Sequence, residues 1–234
     1  MNTVLVFDLW GDLGHFKKPY TTTSPLSFAF PPRPTLAGII SAIIGLGKKE
    51  YPNYFPKKDA NIGLRLLRPV KKIRISHNLI DTKKAQLFSR IRQRTQIRFE
   101  YVKNPKYRIY FHHKDTELYD RLKNLLATHE CVYTVSLGLS ELLANFEYIG
   151  EFNLERETNK EPTTIHSVVP DQAIKKVEFE EGKEYFSANI PLEMNSERVV
   201  TQFGTVLYER NAKPLLARTE SCYKVENGER ILFL

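Results

Sequence analysis

The residues best equipped for chemistry are histidines, a tyrosine and a lysine, in two places. His15 and Tyr20 share one loop-like stretch, and His112, His113 and Lys114 are consecutive at the end of a strand-like run. Such a set can cleave RNA without a metal. One group takes the 2′-hydroxyl proton, another protonates the departing 5′-oxygen, and a cation stabilises the phosphate. The spacing weighs against that chemistry. Neighbouring residues of a strand point to opposite faces, so at most one of His112 and His113 serves a given surface. His15 is better read as a ligand-holding or loop-bracing residue. Metal chemistry is not expected, because Asp8, Asp12, Glu141 and Asp171 have no ligand spacing and Cys131 and Cys222 stand far apart. No phosphate-binding glycine loop is present either: Gly45 and Gly47 follow an apolar helix, where they end it, rather than preceding one. No cofactor is expected.

The elements that position these residues read clearly at the start of the chain. An apolar strand over residues 3–10 runs into a polar, basic, aromatic loop holding Gly14, His15, Phe16, Lys17, Lys18, Tyr20, Thr21, Thr22, Thr23 and Ser24. Pro31, Pro32, Arg33 and Pro34 close the loop, and Leu36, Ile39, Ile40, Ile43 and Ile44 then recur at helical spacing, predicting a helix over 34–45. A loop pinned between a core strand and a core helix is a good seat for binding. Residues 48–106 follow, with 17 Lys/Arg against four acids in a chain whose net charge is +8. A basic block this dense fits a polyanionic partner. In residues 71–77 polar and apolar side chains alternate, so Lys72, Arg74 and Ser76 share a face. Residues 79–107 fit a long basic hairpin, with Arg90, Arg92, Arg94 and Arg98 available to phosphates. Phe88 suits either an unstacked base or the base of the hairpin.

Beyond the hairpin, residues 107–113 read as its return strand and 115–128 as an amphipathic helix capped by Asp115 or Thr116. A short strand is expected at 131–135 and another at 146–152. This order predicts an α+β chain with a ferredoxin-like (RRM-type) domain over residues 1–152. The polar stretch 153–164 reads as a linker to a small β-rich C-terminal domain, 153–234. With 11 Lys/Arg and 15 Asp/Glu over residues 151–234, that part is less suited to nucleic acid. The longest mostly apolar run falls well short of the roughly 20 residues of a membrane span. The first residues lack a secretory pattern, so free thiols in a reducing cytoplasm are expected.

Gly11, Gly14, His15, Phe16, Lys17, the 21–24 hydroxyl run, Phe30 to Arg33, Thr35, Leu36, Gly38, Ile39, Ile40 and Gly45 together resemble the N-terminal signature of CRISPR-associated protein family five. Residues 136–144 (SLGLSELLA) resemble a second element of that family. The family is the RAMP-type subunit at the 5′-handle end of the guide RNA in type I Cascade complexes, and the wording here is most like type I-B. The resemblance implies a non-catalytic subunit that holds the crRNA 5′ handle, with the basic hairpin as a thumb. It implies contacts with the Cascade backbone subunit and large subunit, and with target DNA indirectly. The RNA-binding residues would be Gly14, His15, Phe16, Lys17, Lys18, Tyr20, Thr21, Thr22, Thr23, Ser24, Arg33, Lys72, Arg74, Phe88, Arg90, Arg92, Arg94, Arg98 and His112. Some type I-C members process guide RNA with a Tyr, Lys and His set. A metal-independent endoribonuclease using Tyr20 and the His112–Lys114 run is therefore the alternative.

Overall fold

A computed structural model describes residues 2–21, 23–80, 94–158 and 161–234. The expected hairpin end, with Phe88, Arg90 and Arg92, and the loop residue Thr22 lie outside the described residues.

Strand β1 (Thr3–Gly11) is the centre of the molecule. The strands that follow it are β2 (Leu13–Gly14), β3 (Ala60–Leu66), β4 (Lys72–Ile80), β5 (Arg94–Lys103), β6 (Lys106–His113) and β7 (Ala144–Glu157). Among the described residues, the helices between them are α1 (Arg33–Ile44), the single turn α2 (Tyr51–Tyr54) and α3 (Thr116–Ala127). The C-terminal third is nearly all strand: β8 (Thr163–Ile165), β9 (Val169–Pro170), β10 (Ile174–Glu178), β11 (Tyr185–Met194), β12 (Val200–Glu209), β13 (Leu215–Thr219), β14 (Cys222–Val225) and β15 (Arg230–Ile231).

The main sheet has the order β15-β14-β7-β1-β6-β3, with every neighbouring pair antiparallel. β1 is buried on both faces. Leu5, Phe7 and Leu9 pack with α1 and α3, while Val4 and Val6 pack with Tyr110, Val225 and Ile231. That double burial explains why β1 is nearly all apolar rather than alternating. The helices end where their chemistry dictates. Pro34 sits in the first turn of α1, and Gly45 closes it at φ 84° with its N–H on Ser41 O at 2.8 Å. Asp115 caps α3 by accepting from the N–H groups of Glu117 and Leu118, and Leu118, Leu122 and Leu126 bury one face.

The other sheets are small. β2, β5 and β4 form one, in the order β2-β5-β4; β10, β13 and β8 form a second; β11, β12 and β9 form a third. The fold is α+β, as expected, and dominated by sheet.

Three local expectations are corrected. Residues 107–113 are not the return strand of the hairpin: β6 pairs with β1 and β3, while β5 pairs with β4 and β2. Residues 131–135 are not a strand. Their N–H groups satisfy the end of α1 instead: Val132 donates to Ile43 O at 3.0 Å and Tyr133 to Ala42 O at 2.9 Å. Helix carbonyls without a following turn need such donors. The polar run from 153 is not a linker as far as Glu157. It is the second half of β7, paired from Leu154–Val225 to Glu157–Cys222 with β14. Its polar residues have partners across the sheet: Arg230 Nε donates to Glu157 at 2.7 Å, and Asn153 Nδ2 to Glu226 at 3.0 Å.

The outer face of the main sheet carries a charged knot. Arg108 pairs with Asp8 at 2.8 Å and with Glu229 at 3.1 Å, Arg65 also pairs with Glu229, and the Tyr110 hydroxyl donates to Glu229 at 2.5 Å. It ties the turn before β15 to β1, β3 and β6. Burial alone would push the Glu229 carboxyl up, but Tyr110, Arg65, Asn227 and Arg108 together hold it below the usual range. Burial lowers His166 and His112 below the ordinary histidine value. The two effects share a sign. In each case the unfolded chain binds the proton first, so stability falls on acidification. Thermal melts from pH 8 downward are expected to decline first below about 6.5, as the histidines lose their contribution, and again below about 4.5 for the carboxylates. A flat profile from pH 7 to 5 would contradict the neutral, half-buried histidines.

Candidate nucleic-acid interface

The loop after β2 folds back on itself before α1. Lys17 bridges Ser27, Phe28 N–H donates to Phe16 O at 2.8 Å, and Lys18 N–H donates to Leu26 O at 2.9 Å. The Thr21 hydroxyl staples the tip, donating to Lys18 O and accepting from Leu26 N–H.

Glu100, on β5, anchors this loop to the basic hairpin. Its N–H donates to Pro25 O at 3.0 Å, and its carbonyl accepts from His15 Nδ1 at 2.8 Å. Its carboxylate accepts from Ser27 N–H at 3.2 Å and from Lys72 Nζ at 2.8 Å. Lys72 Nζ also reaches Ser27 O at 2.6 Å. Burial would raise the Glu100 carboxyl, but Lys72, the Ser27 N–H and Arg74 outweigh it and keep it low. On the other side, His15 N–H donates to Leu137 O at 2.9 Å. Gly138 then packs so closely that a Cβ there would stand 1.9 Å from His15 O.

The β4–β5 register sorts the hairpin into two faces. Arg74 opposes Glu100, Ser76 opposes Arg98, Asn78 opposes Gln96 and Ile80 opposes Arg94. Opposed residues share a face, so Arg74, Arg94 and Arg98 line one side together, all exposed. The other face carries Ile75, His77, Phe99 and Tyr101. There the Tyr101 hydroxyl and His77 Nε2 stand 2.7 Å apart, and the His15 ring lies 5.6 Å from those of both Phe99 and Tyr101. The second face packs on the loop through His15, and the first presents the three arginines, with the Glu100 carboxylate holding the loop at one end of it.

The expected site residues therefore divide. Lys17, Tyr20, Thr23, Ser24, Arg74, Arg94 and Arg98 are exposed, and Lys18 is half-buried. Gly14 is inside the β2–β5 pairing. His15, Phe16 and Arg33, expected to touch RNA, are buried at 2%, 3% and 2% exposure and support the loop from within. Arg33 donates to Phe55 O, Ala60 O and Leu192 O. Lys72 is committed to Glu100 and Ser27. His112 is not part of this surface. Phe16 touches Tyr107, with ring centroids 6.3 Å apart, and His112 lies five residues further along β6, about 17 Å at the strand rise. His112 Nδ1 instead meets Thr3 O at 3.0 Å. His113 has both ring nitrogens engaged, Nε2 with Tyr54 O and Nδ1 with Asp115 N–H. The loop and the His112–Lys114 run are thus not brought together. Glu100, Gly138, His77 and Tyr101 were not singled out from the sequence. Strand alternation alone pairs His77 with Tyr101's face, and Gly138 lies in the 136–144 element, but nothing local marks its close packing on His15 or the role of Glu100.

Among the described residues, no three His, Cys, Asp or Glu side chains gather as a metal site, and no helix is long and apolar enough to cross a membrane.

A strand-rich α+β fold of this kind is already represented among solved structures. A CRISPR protein from Archaeoglobus fulgidus has the same fold at TM-score 0.57 and 14% identity, over 97% of this chain and 98% of that one. A chain of a CRISPR RNA-guided surveillance complex matches at TM-score 0.54 and 13% identity, over 92% and 91%. The sequence profile of the family described as "CRISPR-associated protein (Cas_Cas5)" matches residues 4–208. The chain belongs to that Cas5 family. No curated protein matches it.

Proposed function

We propose that this chain is a non-catalytic RNA-binding subunit of a type I CRISPR effector complex, holding the 5′ handle of the guide RNA. The observation that carries the reading is the face shared by Arg74, Arg94 and Arg98 beside the exposed tip of the Glu100-anchored loop. Exposed guanidinium groups suit phosphates, and an aromatic tip suits splayed bases. Membership of the Cas5 family supports a role in a CRISPR effector. The strand order β7-β1-β6-β3, with α1 and α3 in the crossovers, supports reading the first half as ferredoxin-like, with β4–β5 as the base of a thumb. The type I-B assignment rests on the Phe30–Thr35 wording. On this reading the partners are the backbone and large subunits, and target DNA is met through the complex in the cytoplasm. The separation of His112 from the loop and the engaged nitrogens of His113 support the non-catalytic form.

The test presents the purified chain, with metal chelated, to a labelled repeat RNA and to a processed guide bearing its 5′ handle. The expected result is handle-dependent binding without cleavage. A specific cut lost in His112→Ala or Tyr20→Phe would replace this reading with the endoribonuclease.

A further inference from the structure

The acidic C-terminal third contains a feature that its charge does not suggest. The loop tip faces the β11–β12 hairpin across a groove of about 680 Å³, within the range that holds small organic ligands. Its walls are aromatic on both sides: Tyr20 at 70% exposure from the loop, and Phe186 and Phe203 at 41% and 46% from the hairpin. Monomeric proteins rarely group exposed aromatics this way without using them.

Cations stand at the same groove. Lys18 Nζ lies 5.9 Å from the Tyr20 ring centre and 5.6 Å from that of Phe28. The Arg210 guanidinium lies 6.0 Å from the Phe186 ring centre, while pairing with Glu184 at 3.1 Å. Ser187 and Asn189 add polar groups to the lining. A planar, anionic, polar-edged ligand satisfies all of these together. Rings offer stacking, Lys18 offers charge to a phosphate, and Asn189 can donate and accept at a base edge.

We infer that this groove takes one unstacked nucleotide of the single-stranded RNA whose backbone runs along the arginine face. The inference rests on the RNA-binding reading above and extends it to β11 and β12, which lie in the region that the sequence marks as less suited to nucleic acid. The groove borders the arginine hairpin through Lys72, which lines it and belongs to β4, so one strand of RNA can occupy both.

The full-length chain is titrated with a labelled single-stranded handle RNA, as wild type, Phe186→Ala, Phe203→Ala and Arg74→Glu/Arg98→Glu. Loss of one stacking platform weakens base binding by about tenfold. Phe186→Ala or Phe203→Ala is expected to show that loss with an unchanged salt dependence, since no phosphate contact is removed. Photocrosslinking of wild-type protein to RNA carrying 5-iodouridine at successive positions avoids any folding defect of the variants. It is expected to yield one position that crosslinks within β11 or β12. Unchanged affinity in both Phe variants, or crosslinks confined to other elements, overturns the groove assignment. If Arg74→Glu/Arg98→Glu still abolishes binding in that case, the arginine-face reading stands without it. Wild-type protein that binds no RNA overturns both.

Discussion

Gly138→Ala is expected to destabilise the protein by about 2–6 kcal/mol and to abolish the ordered loop. Gly138 has φ +103°, which L side chains adopt only at a cost of about 1–3 kcal/mol. The added Cβ also stands 1.9 Å from His15 O, a backbone atom that cannot rotate away. Relieving that contact means moving the Leu137–His15 hydrogen bond, adding about 1–3 kcal/mol. For a chain of this size the melting temperature should fall by roughly 10 °C, taking 2–4 °C per kcal/mol. Gly182→Ala is the control. It has φ +74° with nothing within 4 Å of the added Cβ, so it carries the backbone cost alone. If the two variants melt together, the close packing of the 137–144 element on the loop is wrong.

Arg33→Met should be nearly as damaging, and in a way that separates folding from binding. The guanidinium donates to Ala60 O at 2.6 Å, Phe55 O at 3.0 Å and Leu192 O at 3.3 Å. It thereby joins the start of α1 to Phe55, to the first residue of β3 and to β11. Burial lowers its pKa to about 10, with Glu193 opposing the shift, so it remains charged at neutral pH. Methionine fills much of the space but leaves three buried carbonyls without their donor, a loss of about 3–5 kcal/mol. Arg33→Lys should recover only part of it, because an ammonium cannot span three acceptors fixed for a planar fork. Denaturant melts measure the loss. The protein that remains folded should bind RNA with unchanged salt dependence, because Arg33 is buried. A reduced salt slope would return Arg33 to the RNA surface.

The sequence made the regular elements legible because their signals are local. Pro34 and Gly45 bound α1, Asp115 begins α3, and the alternation over 71–77 sorts the faces of β4. It misread 153–157 because a polar strand end looks like a linker until β14 pairs with it. It misread 131–135 because a short apolar run does not reveal that helix carbonyls will claim its N–H groups. The candidate site was half visible. Basic and aromatic residues announced the loop and hairpin, but which of them face inward is decided by distant contacts. His15 meets Glu100, 85 positions away, and Arg33 meets Leu192, 159 positions away. Charge counted over the C-terminal third likewise averages away the aromatic groove beside Arg210.

The most direct measurement is the salt dependence of handle-RNA binding for wild type and Arg74→Gln/Arg98→Gln. Each phosphate neutralised on a single strand contributes about −0.7 to the slope of log K against log salt. Steep salt dependence is expected for the wild type, with a slope shallower by about 1.4 for the double variant. Equal slopes, or binding indifferent to salt, would contradict the arginine face as the surface that holds the RNA.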